Sequence, residues 1–189
     1  MKIDAWWALI DEARAVAGVR ADDRNPPDDP LPAALTDVLA RLSPEKIANF
    51  AVRHIEVRRS AYQWPVWGAA YLVEGGCSDD GFMDFRDGLI LLGRDVFTRT
   101  LRDPDTLADL PVVASMADDD GWIGYESLSC LIKDAYHTAT GETESLEVGI
   151  ERFMQDVALP DEPTGECWDF DDDQETRRRL PRLAALFLM

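Results

Sequence analysis

Within the stretch GGCSDDGFMDFRDG, Gly75 to Gly88, a thiol, four carboxylates and a guanidinium are crowded between glycines. Cys77 stands just before a predicted helix N-terminus, a position that favours the thiolate and so a nucleophile. Asp79 and Asp80 oppose that effect, and no histidine is near in sequence, so a plain buried thiol is the expected reading. Arg86 follows Asp79 by seven residues, two turns along one helix face, where the two would pair or together bind an anionic ligand. Asp80, Asp84 and Asp87, at i, i+4 and i+7, would offer three carboxylates to a magnesium ion or simply face water, and the solvated face is expected.

No other pattern completes a reactive set. His54 and His137 fall on separate predicted helices, with no HExxH and no paired cysteines, so no metal site is expected. In ADDDGW, placing Gly121 at the sixth position of a calcium loop puts Met116 first and Ser127 twelfth, and two ligands are lost. GGCSDDG lacks the lysine of a phosphate loop, and no nucleophile-elbow serine occurs. Catalytic residues and a cofactor are therefore not expected, and an enzyme is the less favoured reading.

Two aromatic sets suggest binding instead. Trp64, Trp67 and Tyr71 are spaced by three and four and line one helix face. Near the C-terminus, CWDFDDD alternates Trp168 and Phe170 with Asp169, Asp171, Asp172 and Asp173, a composition that inserts into a basic, apolar partner groove. The alternative is that Trp168 and Phe170 anchor this tail to its own domain and leave the carboxylates in water, which is the reading preferred here.

The elements that must position these groups are helices. Ile3, Trp6, Trp7, Ile10 and Ala17 recur at helical spacing up to Gly18, and VRADDRNPPDDP then reads as a loop. A second helix spans Leu31 to Leu42. Ser43, as a cap before Pro44, starts a third, which runs to about Tyr62 with Ile47, Phe50, His54, Val57 and Ala61 inward. His54 on that stripe is expected to be a satisfied, partly buried histidine. The next helix, Pro65 to Glu74, stops at Gly75, and Ser78 caps another carrying Phe82, Phe85, Leu89 and Leu92. RDVFTRTL follows Gly93, Asp103 or Asp105 caps a further turn, and PVVASM reads as a strand or a buried connector. Helices over Tyr125 to Thr140 and 144–158 complete the domain.

The chain has 189 residues, 46% of them hydrophobic, enough for one folded core. Its net charge of −18 disfavours direct nucleic-acid or membrane-surface binding and suits either a basic protein partner or a mimic of DNA. Three cysteines with no CxxC fit a reducing cytoplasm, and no run has the roughly 18 apolar residues of a membrane span.

WPVWGAAYLVEGGCSDDGFMDFRDGLILLGRDVF followed by DPDTLADL resembles the bacterial domain-of-unknown-function family numbered 4240 over roughly residues 1–140. The matching positions include Trp67, Tyr71, Gly75, Gly76, Cys77, Ser78, Asp79, Asp80, Phe82, Phe85, Arg86, Gly93, Asp103, Pro104 and Asp105. The resemblance implies a bacterial, commonly actinobacterial protein and brings no activity with it. Some relatives carry a WGR domain, of which this chain has no recognisable segment.

These readings lead to an all-α bundle of seven to nine helices with at most a minor extended segment over 1–159, and an acidic, then arginine-rich extension over 160–189 docked upon it. The expected role is an acidic protein-interaction or regulatory module. The alternative is a small-ligand site or enzyme pocket built by Cys77, Asp79, Asp80, Arg86, Trp64, Trp67 and Tyr71, and the third is acidic mimicry of DNA.

Overall fold

Ile3–Ala17 forms helix α1, whose Trp6, Trp7, Ile10 and Ala13 are buried as their spacing requires. Trp6 is stacked on Phe50 at 5.2 Å and donates its indole N–H to the Phe50 carbonyl at 3.2 Å, so the largest core ring also has its polar atom satisfied. In this computed structural model residues 1–22, 30–118, 122–126, 128–156 and 162–188 are described. Residues 23–29 of the proline-rich loop expected after Arg20, and 119–121 of ADDDGW, lie outside them.

The described residues hold α-helices and two 3-10 turns, Gly18–Arg20 and Pro104–Asp109, with no strand. After α1 come α2 (Pro30–Ala40), α3 (Pro44–Ser60), α4 (Trp64–Val73), α5 (Asp79–Leu91), α6 (Arg94–Arg102), α7 (Pro111–Met116), α8 (Leu128–Thr140) and α9 (Glu144–Asp156). Two short helices, α10 (Asp173–Arg179) and α11 (Pro181–Phe187), belong to the C-terminal extension. The all-α expectation holds, with α1 to α9 before residue 160 and the extension helical as well.

Three local expectations are corrected. PVVASM is the helix α7, begun by Pro111, with Val113 and Met116 inward. Residues 122–126 stay outside α8, because the Tyr125 amide donates instead to the Asp84 carbonyl at 2.8 Å. Ser43 has the extended backbone of a cap but makes no side-chain capping bond, so Pro44 and tertiary packing start α3.

The bundle packs α1 on α2, α2 on α8, and α3 against α5, α8 and α9. At its centre lies the C-terminal half of α5, where Asp87 through Leu91 are all buried. Gly88 is required there, since a Cβ would overlap the Ile123 carbonyl. The end of α5 is held by Arg14, whose guanidinium donates to the Leu91 carbonyl at 2.6 Å and offsets the negative end of the helix dipole.

Candidate functional site

The glycine junction between α4 and α5 is built as the sequence suggested. Gly75 takes φ 67°, open to glycine without strain, and lets the chain leave α4. The Ser78 hydroxyl then accepts from the Gly81 amide at 3.2 Å and caps α5, with Asp79 and Asp80 exposed in its first turn. Trp67 ties the turn to α4 by donating its indole N–H to the Cys77 carbonyl at 3.0 Å.

From this bond a column of rings runs through the molecule. Trp64 stacks on Trp67 at 5.3 Å and Trp67 on Phe82 at 4.7 Å. Arg86 closes the column, its guanidinium 4.7 Å from the Phe82 ring centre and 4.9 Å from that of Tyr62. Its Nε donates to the Phe82 carbonyl at 3.1 Å, and a longer bond of 3.5 Å reaches the Arg58 carbonyl. Among the described residues Arg86 has no carboxylate partner, so the expected pairing with Asp79 is not formed. Burial and the neighbouring Arg58 lower its pKa to about 10.

At the other end of the column sits the C-terminal extension. Phe170 lies 6.2 Å from Trp64 and 5.5 Å from Tyr71, and Trp168 packs edge-on to Phe170 at 4.9 Å. Gly68 leaves room for the Trp168 indole, which a Cβ there would overlap. The Tyr71 hydroxyl and the Asp171 carboxylate bond at 2.7 Å, which raises the Tyr71 pKa through that hydrogen bond first and the negative charge second. The Trp64 amide, an orphan donor at the start of α4, is satisfied by the Thr164 carbonyl at 2.8 Å. Further along, Asp105 is buried and accepts from the amides of Arg182 and Leu183 at 2.9–3.1 Å, capping α11 from the far side of the chain.

The extension's charges sort by sign. Arg179 pairs with Glu166 at 2.7 Å and Glu175 at 2.6 Å, Arg178 with Glu175 at 2.6 Å, and Arg182 with Asp109. Asp169, Asp171, Asp172 and Asp173 are exposed and have no ion pair among the described residues. Asp172 does cap α10 through the Gln174 and Glu175 amides.

Two concavities border this surface. The larger, of about 670 Å³, runs between α4, α7 and the extension, with Leu72, Val73, Met116 and Phe187 for apolar walls and Glu74, Asp171 and Asp173 for charges. The smaller, of about 380 Å³, opens at the glycine junction between Cys77, Trp122 and the carboxylates Glu74, Asp84 and Glu126. Among the described residues neither is lined by lysine or arginine, and Glu74 belongs to both. Burial raises the Glu74 pKa, against the lowering effect of hydrogen bonds from the Ile123 and Gly124 amides at 3.3 Å. Burial and nearby Glu126 raise that of Asp84. The Cys77 thiol is pushed up to about 12 by burial and by Glu74, which removes the nucleophile reading. Among the described residues no group of three or more histidine, cysteine or acidic side chains is placed to hold a metal.

Against known families, the model described as "Protein of unknown function (DUF4240)" matches residues 1–138. The chain belongs to the DUF4240 family. No curated protein and no solved structure matches it. In this DUF4240 protein the ring column, the glycine junction and Asp105 lie inside the family match, while the segment they hold, 162–188, lies beyond it.

The sequence-predicted residues thus separate into two groups. Trp64, Tyr71, Trp168, Phe170 and Asp171 come together, with Trp67 one ring further in. Cys77 lines the junction cleft, whereas Arg86 faces the rings and is not among the cleft's walls. Sequence reasoning missed Asp87, placed on a solvated face with Asp80 and Asp84. It is 2% exposed, with His54 Nε2 at 2.7 Å from one oxygen and Arg58 at 3.2 Å from the other. The available signal was the unbroken apolar run Leu89 to Leu92 after Gly88, which marks a helix buried on all sides rather than on one stripe.

Proposed function

We propose that this DUF4240 protein is an acidic interaction module that binds a basic, partly apolar segment of a protein partner. The contact surface is the groove between α4, α7 and the extension, continued across the glycine junction. What supports this most is the groove's lining: apolar walls and three carboxylates without a cation among the described residues, fixed in place because Trp168 and Phe170 turn inward and Arg179 and Arg182 are already paired. A volume of about 670 Å³ lies within the range of roughly 300–1,000 Å³ usual for such sites. Arginine or lysine would meet Glu74, Asp171 and Asp173, and a leucine-like side chain would meet Val73, Met116 and Phe187. The reducing cytoplasm remains part of the proposal, consistent with unpaired Cys77, Cys130 and Cys167. Among the described residues no helix is long and apolar enough to cross a membrane.

The test is titration with a synthetic peptide of alternating arginine and leucine, followed by tryptophan fluorescence at low and high salt. Binding is expected to weaken as salt rises and to fall about tenfold in the double variant Asp171→Asn, Asp173→Asn. A peptide that binds the variant as tightly as the parent overturns the proposal. Duplex DNA competing for the same basic partner, with its phosphates replaced by this chain's carboxylates, would select the DNA-mimic form of it.

A further inference from the structure

A third cavity departs from the rest of this molecule in the sign of its charge. It lies between α3, α8 and α9, measures about 220 Å³, and has Ile132, Ile150 and Met154 among its apolar walls. Among the described residues the charged ones lining it are Arg58 and Lys133, and neither aspartate nor glutamate takes part, in a chain of net charge −18. His54 also lines it, and the orientation of that ring is fixed. Its Nε2 is directed into α5, 2.7 Å from Asp87 Oδ1, and Asp87 is not on the cavity wall. The other ring nitrogen, Nδ1, has no hydrogen bond to a described residue but is not sealed from solvent, in a side chain 3% exposed on the cavity wall.

A ring nitrogen left to cavity solvent is a polar point that a ligand group can take over by displacing water. With Nε2–H given to Asp87, Nδ1 is an acceptor in the neutral ring and a donor in the protonated one. A carboxyl group satisfies both forms, as a carboxylic acid donating to neutral imidazole or as a carboxylate accepting from imidazolium. Arg58 and Lys133 offer only donors, so an amine headgroup would be repelled, while a phosphate dianion would carry more charge than the half-apolar cavity can solvate. The volume lies below the roughly 300 Å³ at the lower end of drug-sized sites, so the chain attached to the carboxyl is short.

We propose that this cavity binds an aliphatic monocarboxylate of at most about eight carbons, its carboxyl at His54 and Arg58 and its alkyl chain among Ile132, Ile150 and Met154. Lys133, held at 2.9 Å by Glu147 on α9, joins the two helices beside it. The site is separate from the acidic groove, and neither depends on the other.

Octanoate is the probe, with octanol and octylamine as headgroup controls of equal length. Saturable shifts of the Met154 methyl resonance and of the His54 ring nitrogen resonances are expected with octanoate. Octanol and octylamine are expected to bind at least about tenfold more weakly. In Ile150→Trp, which fills the cavity, the octanoate response is expected to vanish while the remaining methyl spectrum stays folded. Lys133 is half-exposed, and Lys133→Gln removes its charge without setting a second carboxylate against Glu147, so this variant is expected to keep the fold and to weaken octanoate several-fold. Octanol binding as well as octanoate would reduce the site to an apolar void and overturn the proposal. So would an unchanged response in folded Ile150→Trp, or no saturable response in the parent protein.

Discussion

Cys77 is the residue whose chemistry its surroundings change most. A thiol pushed up to about 12 holds almost no thiolate near neutrality, so its alkylation by iodoacetamide at about pH 8 is expected to be at least about a hundredfold slower than that of exposed Cys130 and Cys167. Peptide mapping by mass spectrometry reads this directly, and equal rates would show the thiol to be ionised. Glu74 gives a second expectation. Its folded pKa is raised above the ordinary 4.5, so as pH climbs from that value the unfolded chain releases its proton first, and folding stability falls until the folded carboxyl has also ionised. Glu74→Gln keeps the oxygen that receives the Ile123 and Gly124 amides but removes the buried charge. Urea unfolding across about pH 4 to 8 is expected to show that fall in the parent and a flatter profile in the variant.

Among the elements, the extension and α4 depend on each other. Trp168→Ala removes the ring seated on Gly68 and is expected to cost about 2 kcal/mol, with hydrogen exchange accelerated in 162–188 before α1 to α3 are affected. Asp105→Ala leaves two amides of α11 without their acceptor and is expected to cost about 2 kcal/mol, seen as a lower urea midpoint. Helical spacing made α1, α3 and α4 legible with their inward residues, and glycine and serine made the α4–α5 junction legible, because those signals are local. Asp105 capping a helix 77 residues away and Asp87 lying beneath His54 had no local signal. An acid reads as solvated until the partner that neutralises it is brought alongside by tertiary packing. Arg86 shows the converse, since its spacing from Asp79 was right for a pair and the ring faces of Tyr62, between α3 and α4, and of Phe82, on α5, claimed the guanidinium first.

Over the whole molecule, 37 acidic side chains against 19 basic ones make the folded state repel itself. Added salt screens that repulsion, so the melting temperature is expected to rise between about 0.01 and 0.15 M NaCl, and a fall would mean that the surface ion pairs outweigh it. The clasp of the extension also has a consequence in time. Tyr71 waits for Asp171, 100 residues later, and the first amide of α4 waits for Thr164. During synthesis the ring column therefore emerges from the ribosome well before the segment that covers it, and the nascent chain carries a bare row of tryptophans until then. A translation pause before residue 162 would lengthen that interval, in which a chaperone or a second nascent chain competes for the rings that Trp168 and Phe170 finally claim.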